Sequence, residues 1–155
     1  MLKSIRLLSL KEYGFILDLG EIMKEINQGK ICPYCNKHTE FVDSSVIYGK
    51  SYGMIYLCRD CDAYVGCHKG TNIALGSLAN SELRMLRNQA HALFDPMWKA
   101  KMKRDRCSKT KARKSGYKWL AQQMRIDRKI THIGMFDEEQ CKLVIEICLP
   151  YYTSK

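Results

Sequence analysis

Four of the eight cysteines form two C-x2-C pairs, Cys32 with Cys35 and Cys58 with Cys61. A C-x2-C segment folds into a tight turn that directs two sulfur atoms toward one point, and two such turns complete a tetrahedral zinc site. The 22 residues between the pairs slightly exceed the usual spacing of such sites. Four thiolates leave no open coordination position for a substrate. We therefore expect these four cysteines to bind one Zn²⁺ with a structural role.

Cys67 and His68 follow the second pair and complicate this ligand assignment. Either residue could replace one of the four cysteines, but neighbours on a strand point to opposite faces, so both cannot easily join one site. His68 could also contact a phosphate or act as a general base, and His38 is a further candidate ligand. A redox C-x2-C motif would not need a second pair, and disulfides are not expected without a secretory signal.

A second feature with chemical consequences is a block of positive charge at residues 98–129. It holds 13 Lys and Arg against two Asp, and it supplies the whole excess behind the net charge of +10. Such a block favours a polyanionic partner, nucleic acid before membrane, because neutralised phosphates release counterions. The alternative is a solvated helix face. The expected phosphate contacts are Lys99, Lys101, Lys103, Arg104, Arg106, Lys109, Lys111, Arg113 and Lys114.

Arg84, Arg87 and His91 form a second basic stripe at helical spacing. This stripe either contacts phosphates or faces solvent, and the sequence leaves both alternatives open. We include Arg84 and Arg87 among the candidate nucleic-acid contacts.

The residues around the cysteine pairs predict a zinc β-ribbon of about three short antiparallel strands. Residues 40–48 and 54–57 are rich in strand formers, the turn 49–53 separates them, and residues 63–66 predict a third strand. We expect four or five α-helices to pack with this ribbon, which gives an α+β fold. The expected parts are an N-terminal helical segment 1–30, the zinc ribbon 31–70 and a helical region 71–155, together forming one compact unit.

Apolar spacing and capping residues predict where the helices lie. Leu19, Ile22, Met23 and Ile26 form a stripe that is expected to pack on the core, and Gly29 ends that helix. Later helices are predicted to begin near Asn80 or Ser81, Ser108 and Asp137, with an interruption at Asp95–Pro96 and a stop at Pro150.

Cys141 and Cys148 share one side of the last predicted helix, and we interpret them as small core residues. A second metal site that combines them with Cys107 and His132 is the alternative, although these residues lack the C-x2-C spacing.

Several stretches of the chain resemble the phage and bacterial zinc-finger-containing domain family, formerly a domain of unknown function. The resemblance runs from about Ile31 to Cys148 and implies a zinc-binding domain of mobile-element origin, with no established activity. The stretches that carry it are Cys32–Cys35, Tyr56–Thr71, Leu75–Asn80, Leu83–Arg84, Ala90–His91, Phe94–Trp98, Tyr117–Ala121 and His132–Phe136.

These observations favour a non-enzymatic, zinc-stabilised protein that binds nucleic acid or associates with a nucleoprotein as an adaptor. Tyrosines of the ribbon (Tyr48, Tyr52, Tyr56 and Tyr64) either stack on unpaired bases or pack the small sheet. The alternative function is an interaction module that binds and modulates a host enzyme complex, such as a polymerase or a defence nuclease. A nuclease with His68 as the base is a weaker third hypothesis, because four thiolates leave zinc no open position.

The sequence contains no apolar run of 18 residues and no recognisable signal peptide. We therefore expect a cytoplasmic protein of a bacterial host cell, with no membrane partner.

Overall fold

The computed structural model describes residues 18–153 of the 155-residue chain. The first 17 residues of the predicted N-terminal segment 1–30 lie outside the described residues. The strands are β1 (Glu40–Asp43), β2 (Met54–Cys58) and β3 (Ala63–Gly66). The helices are α1 (Leu19–Asn27), α2 (Ser45–Tyr48), α3 (Ser81–Arg104), α4 (Lys109–Met124) and α5 (Glu138–Thr153). Two 3-10 turns, Arg128–Ile130 and Ile133–Met135, lie between α4 and α5.

The three strands form an antiparallel sheet with the order β1-β2-β3. Leu57 of the central strand lies opposite Glu40 of β1 and Tyr64 of β3. Most of the central strand, from Ile55 to Cys58, is buried, whereas β1 is largely exposed. The structure thus confirms the α+β class and the three-stranded ribbon that the sequence predicts.

Two apolar clusters stabilise the part of the chain that the structure describes. The larger one lies between α3, α4 and α5 and includes the fully buried Phe94, Leu120 and Val144. The smaller one lies in the ribbon and includes Cys32, Tyr56 and Leu78. Ala79, beside Leu78, belongs to the helical cluster and pairs with Tyr64 of β3, so the two clusters meet at the start of α3.

The three capping residues expected from the sequence each cap a helix. Asn80 accepts the N–H of Leu83 at 3.0 Å and Ser108 accepts the N–H of Lys111 at 3.3 Å. Asp137 accepts the N–H of Gln140 at 2.8 Å, and the Gln140 side chain accepts the N–H of Asp137 at 3.1 Å. Such caps satisfy N–H groups that have no partner within the helix.

The predicted strand over residues 40–48 is too long. The chain leaves the sheet at Asp43 and forms the short helix α2. The reason is local hydrogen bonding: Asp43 accepts the N–H of Ser45 at 2.9 Å, and the buried Ser44 hydroxyl accepts the N–H of Tyr52 at 2.7 Å. Short polar side chains that bind nearby backbone groups compete with strand pairing in this way.

The predicted helix breaks at Asp95–Pro96 and Pro150 are wrong. Helix α3 continues through Pro96, and α5 continues through Pro150 to Thr153. A proline inside a helix removes one hydrogen bond and costs about 3 kcal/mol. Phe94 and Trp98 on either side of Pro96 are buried in the helical cluster, and their packing offsets that cost.

Helix α1 ends as predicted, because Gly29 adopts a left-handed conformation with φ of 78°. Its apolar stripe does not pack as expected. Leu19 is 62% exposed and Met23 46% exposed, whereas Ile22 and Ile26 are half-buried, so only part of the stripe packs against the described residues. No helix within residues 18–153 is long and apolar enough to cross a membrane.

Candidate metal centre and cationic surface

Each cysteine pair lies in a turn whose backbone is closed by hydrogen bonds. In the first turn, the N–H of Asn36 donates to the carbonyl of Cys32, and the N–H of Cys32 donates to the carbonyl of Lys37, both at 2.9 Å. The second turn joins β2 to β3. Asn36 and Asp62 directly follow the pairs and have φ of 59° and 46°. Asn and Asp tolerate this left-handed conformation better than most side chains, so the sequence suits both turns.

The two turns bring four sulfur atoms together. The Sγ atoms of Cys32, Cys35, Cys58 and Cys61 all lie within 4.8 Å of one another, and those of Cys35 and Cys58 are 3.6 Å apart. In a tetrahedron with Zn–S distances near 2.3 Å, sulfur atoms are about 3.8 Å apart. The four cysteines therefore fit one zinc ion, as the sequence predicts.

Burial and hydrogen bonding together set the pKa values of these thiols. Burial raises the pKa of Cys32 to about 11 and also raises the pKa of Cys61. Burial acts in the same direction on Cys35, but hydrogen bonds from the Lys37 backbone and from neighbouring thiols outweigh it and lower the pKa of Cys35. Metal ligation requires thiolates, so zinc binding displaces protons and weakens as the pH falls.

An exposed ion pair connects the two turns. Lys37 Nζ lies 2.6 Å from Asp60 Oδ2, and this lysine lowers the pKa of Asp60. Because the pair is exposed, its contribution to stability is small. It aligns the two turns rather than driving their association.

Cys67 and His68 do not join the sulfur cluster. Cys67 packs against the apolar cluster of the ribbon, while His68 is exposed and donates its backbone N–H to Ile73 at 2.9 Å. Cys141 and Cys148 are fully buried among the helices, which supports their interpretation as core residues. Within residues 18–153, the four ribbon cysteines are the only group of three or more residues placed to hold a metal.

Arg84 contacts the ribbon rather than solvent. It donates to the carbonyls of Asp62 at 2.9 Å and Ala79 at 2.7 Å, and its guanidinium lies 4.0 Å from the centre of the Tyr64 ring. These contacts fasten the second cysteine turn to the start of α3. Arg84 is therefore occupied by contacts within the protein.

Arg87 is buried, which corrects its assignment to a phosphate-contacting stripe. Its guanidinium donates to the carbonyls of Ser77 and Phe136 and to the Ser77 hydroxyl at 2.8 to 3.1 Å. His91, the third member of the stripe, contacts Asp95 at 3.3 Å. The helix face that carries these residues points toward the ribbon and the segment before α5. The helical spacing correctly predicted that they share one face, but that face packs against the protein instead of facing solvent.

The basic segment 98–129 covers the end of α3, the following turn, α4 and the start of the 3-10 turn at Arg128–Ile130. The expected contacts at 99, 103, 104, 106, 109, 111, 113 and 114 are exposed, and Lys101 is half-buried. Asp105 pairs with Lys101 at 2.6 Å and with Arg104 at 2.8 Å, and both cations lower its pKa to about 2. Within residues 18–153, no other carboxylate forms an ion pair with this segment.

The structure also gathers residues that the sequence did not connect. The Tyr117 ring is buried between α3 and α4, and the side chains of Arg113, Arg128 and His132 surround it. Arg113 and Tyr117 share a helical spacing of four, but Arg128 and His132 follow the end of α4. No periodicity predicts their return to Tyr117, so the sequence contained no signal for this cluster.

Four cysteines on two turns of a three-stranded ribbon define a zinc-ribbon domain with a closed, structural metal site. The sequence pattern of the zinc-finger-containing domain family matches residues 28–150, and the chain belongs to this family. No curated protein and no solved structure matches the chain.

Proposed function

We propose that this protein binds nucleic acid through the cationic surface formed by the end of α3, the turn after it and the first half of α4, while the zinc ribbon serves as a rigid support. The observation that carries this proposal is the exposed excess of positive charge on that surface. Non-enzymatic action and an adaptor role in a phage or mobile element belong to the same proposal. Phosphate contacts of this kind give weakly sequence-specific, salt-dependent binding.

The start of α4 supports an anionic partner. Its first turn contains Lys109 and Lys111 and no acidic residue. Cations at a helix N-terminus oppose the helix dipole by about 0.3–1 kcal/mol each. Helix stability alone would favour acidic residues at these positions, so the two lysines have a reason other than helix stability, and an anionic partner provides one.

Aromatic side chains of the ribbon support contact with unpaired bases. Tyr48 and Tyr52 are 53% and 73% exposed, and their ring centres lie 5.7 Å apart. Tyr64 adjoins them, since its hydroxyl lies 3.0 Å from that of Tyr48. Tyr56 takes no part, because it is buried and donates to the carbonyl of Asn72. Exposed aromatic rings can stack on single-stranded bases.

Charge reversal tests the proposal. We expect a variant with Lys103→Glu, Arg104→Glu and Arg106→Glu to bind a labelled 20-nucleotide single strand about 100-fold more weakly at low salt, with a flatter dependence on salt concentration. The control variant carries Lys24→Glu, Lys69→Glu and Lys142→Glu, which makes the same change of net charge elsewhere on exposed positions. Fluorescence anisotropy over a salt series measures both quantities.

An equal loss in the two variants would show that only net charge matters and would exclude the α3–α4 surface as the binding site.

A duplex of the same length provides the second comparison. If Tyr48 and Tyr52 stack on bases, Tyr52→Ala weakens binding of the single strand by several-fold and leaves duplex affinity unchanged. An unchanged affinity of the Tyr52→Ala variant for the single strand would restrict the proposal to phosphate contacts.

A further inference from the structure

Three groups that carry or can accept positive charge meet around one buried ring. The guanidinium carbons of Arg128 and Arg113 lie 5.3 Å and 5.6 Å from the centre of the Tyr117 ring. The imidazole of His132 stacks parallel to that ring, with centres 5.7 Å apart and an interplanar angle of 3°. Phe94 packs against the ring at 4.8 Å. The cluster of Arg113, Tyr117, Arg128 and His132 is called the Tyr117 cluster below.

The cationic members of the Tyr117 cluster are available to a ligand. Arg113, Arg128 and His132 are exposed residues, whereas Tyr117 is only 3% exposed. Arg128 also donates to the carbonyl of Thr131 at 3.4 Å, and the His132 imidazole is partly desolvated. Neither arginine forms an ion pair with a carboxylate within residues 18–153. Both guanidinium groups lie near the centre of the same ring, so an anion that contacted both of them would offset their mutual repulsion.

A second observation is independent of charge. The Tyr117 hydroxyl is buried, and no acceptor for its O–H lies within hydrogen-bond distance among the described residues, whereas the Arg113 side chain and the Ile133 N–H approach its oxygen only as donors. Leaving a buried polar group without a partner is costly, so such a group usually has a structural or functional reason. Burial raises the pKa of Tyr117 and the nearby Arg113 acts in the opposite direction, which places this arginine close to the hydroxyl.

The surroundings of His132 show that the cluster lies in a positive field. Its pKa is lowered, first by desolvation and then by Arg113, His91, Arg128 and Arg87. These four groups face the imidazole from α3, α4 and the 3-10 turn at Arg128–Ile130. On the side of α3, Asp95 is a negative group near the cluster: it raises the pKa of Tyr117, contacts His91 at 3.3 Å and accepts the indole N–H of Trp98 at 2.9 Å.

We propose that Arg113, Arg128 and His132 form a binding site for one phosphate group, with the Tyr117 hydroxyl as an additional hydrogen-bond donor beneath it. Two guanidinium groups suit a phosphate because their planar N–H groups match its oxygen atoms. The neutral imidazole contributes one further N–H. This inference deepens the proposed function. It rests on that function in one respect: the phosphate is taken to belong to a nucleic-acid backbone and not to be a free ion.

The test compares two double variants. Arg113→Gln with Arg128→Gln removes the proposed contacts, whereas Lys118→Gln with Arg125→Gln removes the same charge from two other exposed positions of the basic segment. We expect the first variant to bind a single-stranded 20-mer at least tenfold more weakly than the second. A melting temperature of each unliganded variant in chloride buffer confirms that both are folded.

Inorganic phosphate at constant ionic strength provides the second arm. We expect it to raise the melting temperature of the unmodified protein and of the Lys118/Arg125 control, and to leave the Arg113/Arg128 variant unchanged. Tyr117→Phe should reduce the stabilisation by phosphate, since it removes only the hydroxyl.

The possible results separate this inference from the proposed function. Equal losses of oligonucleotide affinity in both double variants, with no selective effect of phosphate, overturn the phosphate site and leave nucleic-acid binding intact. An unmodified protein that binds no oligonucleotide but is stabilised selectively by inorganic phosphate overturns the proposed function and supports the site with a free phosphate ligand. An unmodified protein that neither binds the oligonucleotide nor is selectively stabilised by inorganic phosphate overturns both the site and the proposed function.

Discussion

Arg87 shows how a charged residue can serve the interior of this protein. It is 9% exposed and donates to the backbone of two segments, one before α3 and one before α5. Burial lowers its pKa, and no carboxylate forms an ion pair with it within the described residues. Helical spacing correctly predicted which face of the helix carries Arg87. Its partners are the carbonyls of Ser77 and Phe136 and the Ser77 hydroxyl. These contacts have no sequence signature, so the sequence could not identify the role of Arg87.

We predict that Arg87→Lys destabilises the protein by about 2–3 kcal/mol, because an ammonium group cannot replace the planar fork and leaves buried carbonyls without a donor. Chemical denaturation followed by circular dichroism measures this loss. Arg125→Lys is the matched control, since Arg125 is exposed, and we expect no measurable change there. If the two variants were equally stable, the buried hydrogen bonds of Arg87 would be irrelevant to the fold.

At the scale of the elements, local chemistry predicted starts of helices better than ends. Asn80, Ser108 and Asp137 cap helices as their sequences indicate, because each cap is a contact within three residues. Pro96 and Pro150 were expected to end helices and do not. Whether a proline breaks a helix depends on how well the flanking residues pack elsewhere, and that packing involves residues distant in sequence.

The contact between the loop before α3 and the turn before α5 also escapes sequence reasoning. A Cβ atom added at Gly76 would collide with the carbonyl oxygen of Gly134. The two backbones therefore touch, and only glycine at position 76 permits this. Gly134 in turn lies against His132, since a Cβ there would be 3.2 Å from the imidazole ring. This contact holds the segment that supplies His132 against the start of α3.

We predict that Gly76→Ala destabilises the protein by about 2–3 kcal/mol, because backbone atoms cannot move aside as a flexible side chain can. Gly20→Ala in α1 is the control. A Cβ there would meet only a carboxylate oxygen of Asp18 at 3.4 Å, and alanine favours a helix, so stability should rise slightly. Thermal unfolding of both variants checks the prediction. A stable Gly76→Ala variant would contradict the close backbone contact.

The whole molecule combines two differently stabilised parts. The sequence predicted the metal site well, since each C-x2-C pair forms a local turn and four thiolates define a zinc ion by their chemistry. For the helical cluster, the sequence predicted only which helix faces are apolar. It could not predict how those faces pack together, because helix packing depends on contacts between residues distant in sequence. That cluster contains Phe94, Leu120 and Val144 but no zinc ligand. The ribbon should therefore depend on zinc more than the helices do.

We predict that Cys58→Ser loses zinc and unfolds the ribbon while most of the helical signal remains. Metal binding supplies folding free energy to such a small ribbon, whereas α3, α4 and α5 share a core of their own. Zinc content is measured by a colorimetric assay, helicity by far-ultraviolet circular dichroism, and ribbon structure by the amide resonances of β1 to β3.

Cys67→Ser is the matched control for that experiment. Cys67 lies in the same ribbon and packs against its apolar cluster, but it is outside the group of four sulfur atoms. We expect this variant to retain one zinc ion and dispersed ribbon resonances, with only a modest loss of stability from the polar hydroxyl. If Cys67→Ser lost zinc, Cys67 would be a ligand and the assignment of Cys32, Cys35, Cys58 and Cys61 would be wrong. If Cys58→Ser stayed folded throughout without zinc, the ion would not stabilise the ribbon, and the helices would have to do so through the contacts of Arg84 and Ala79.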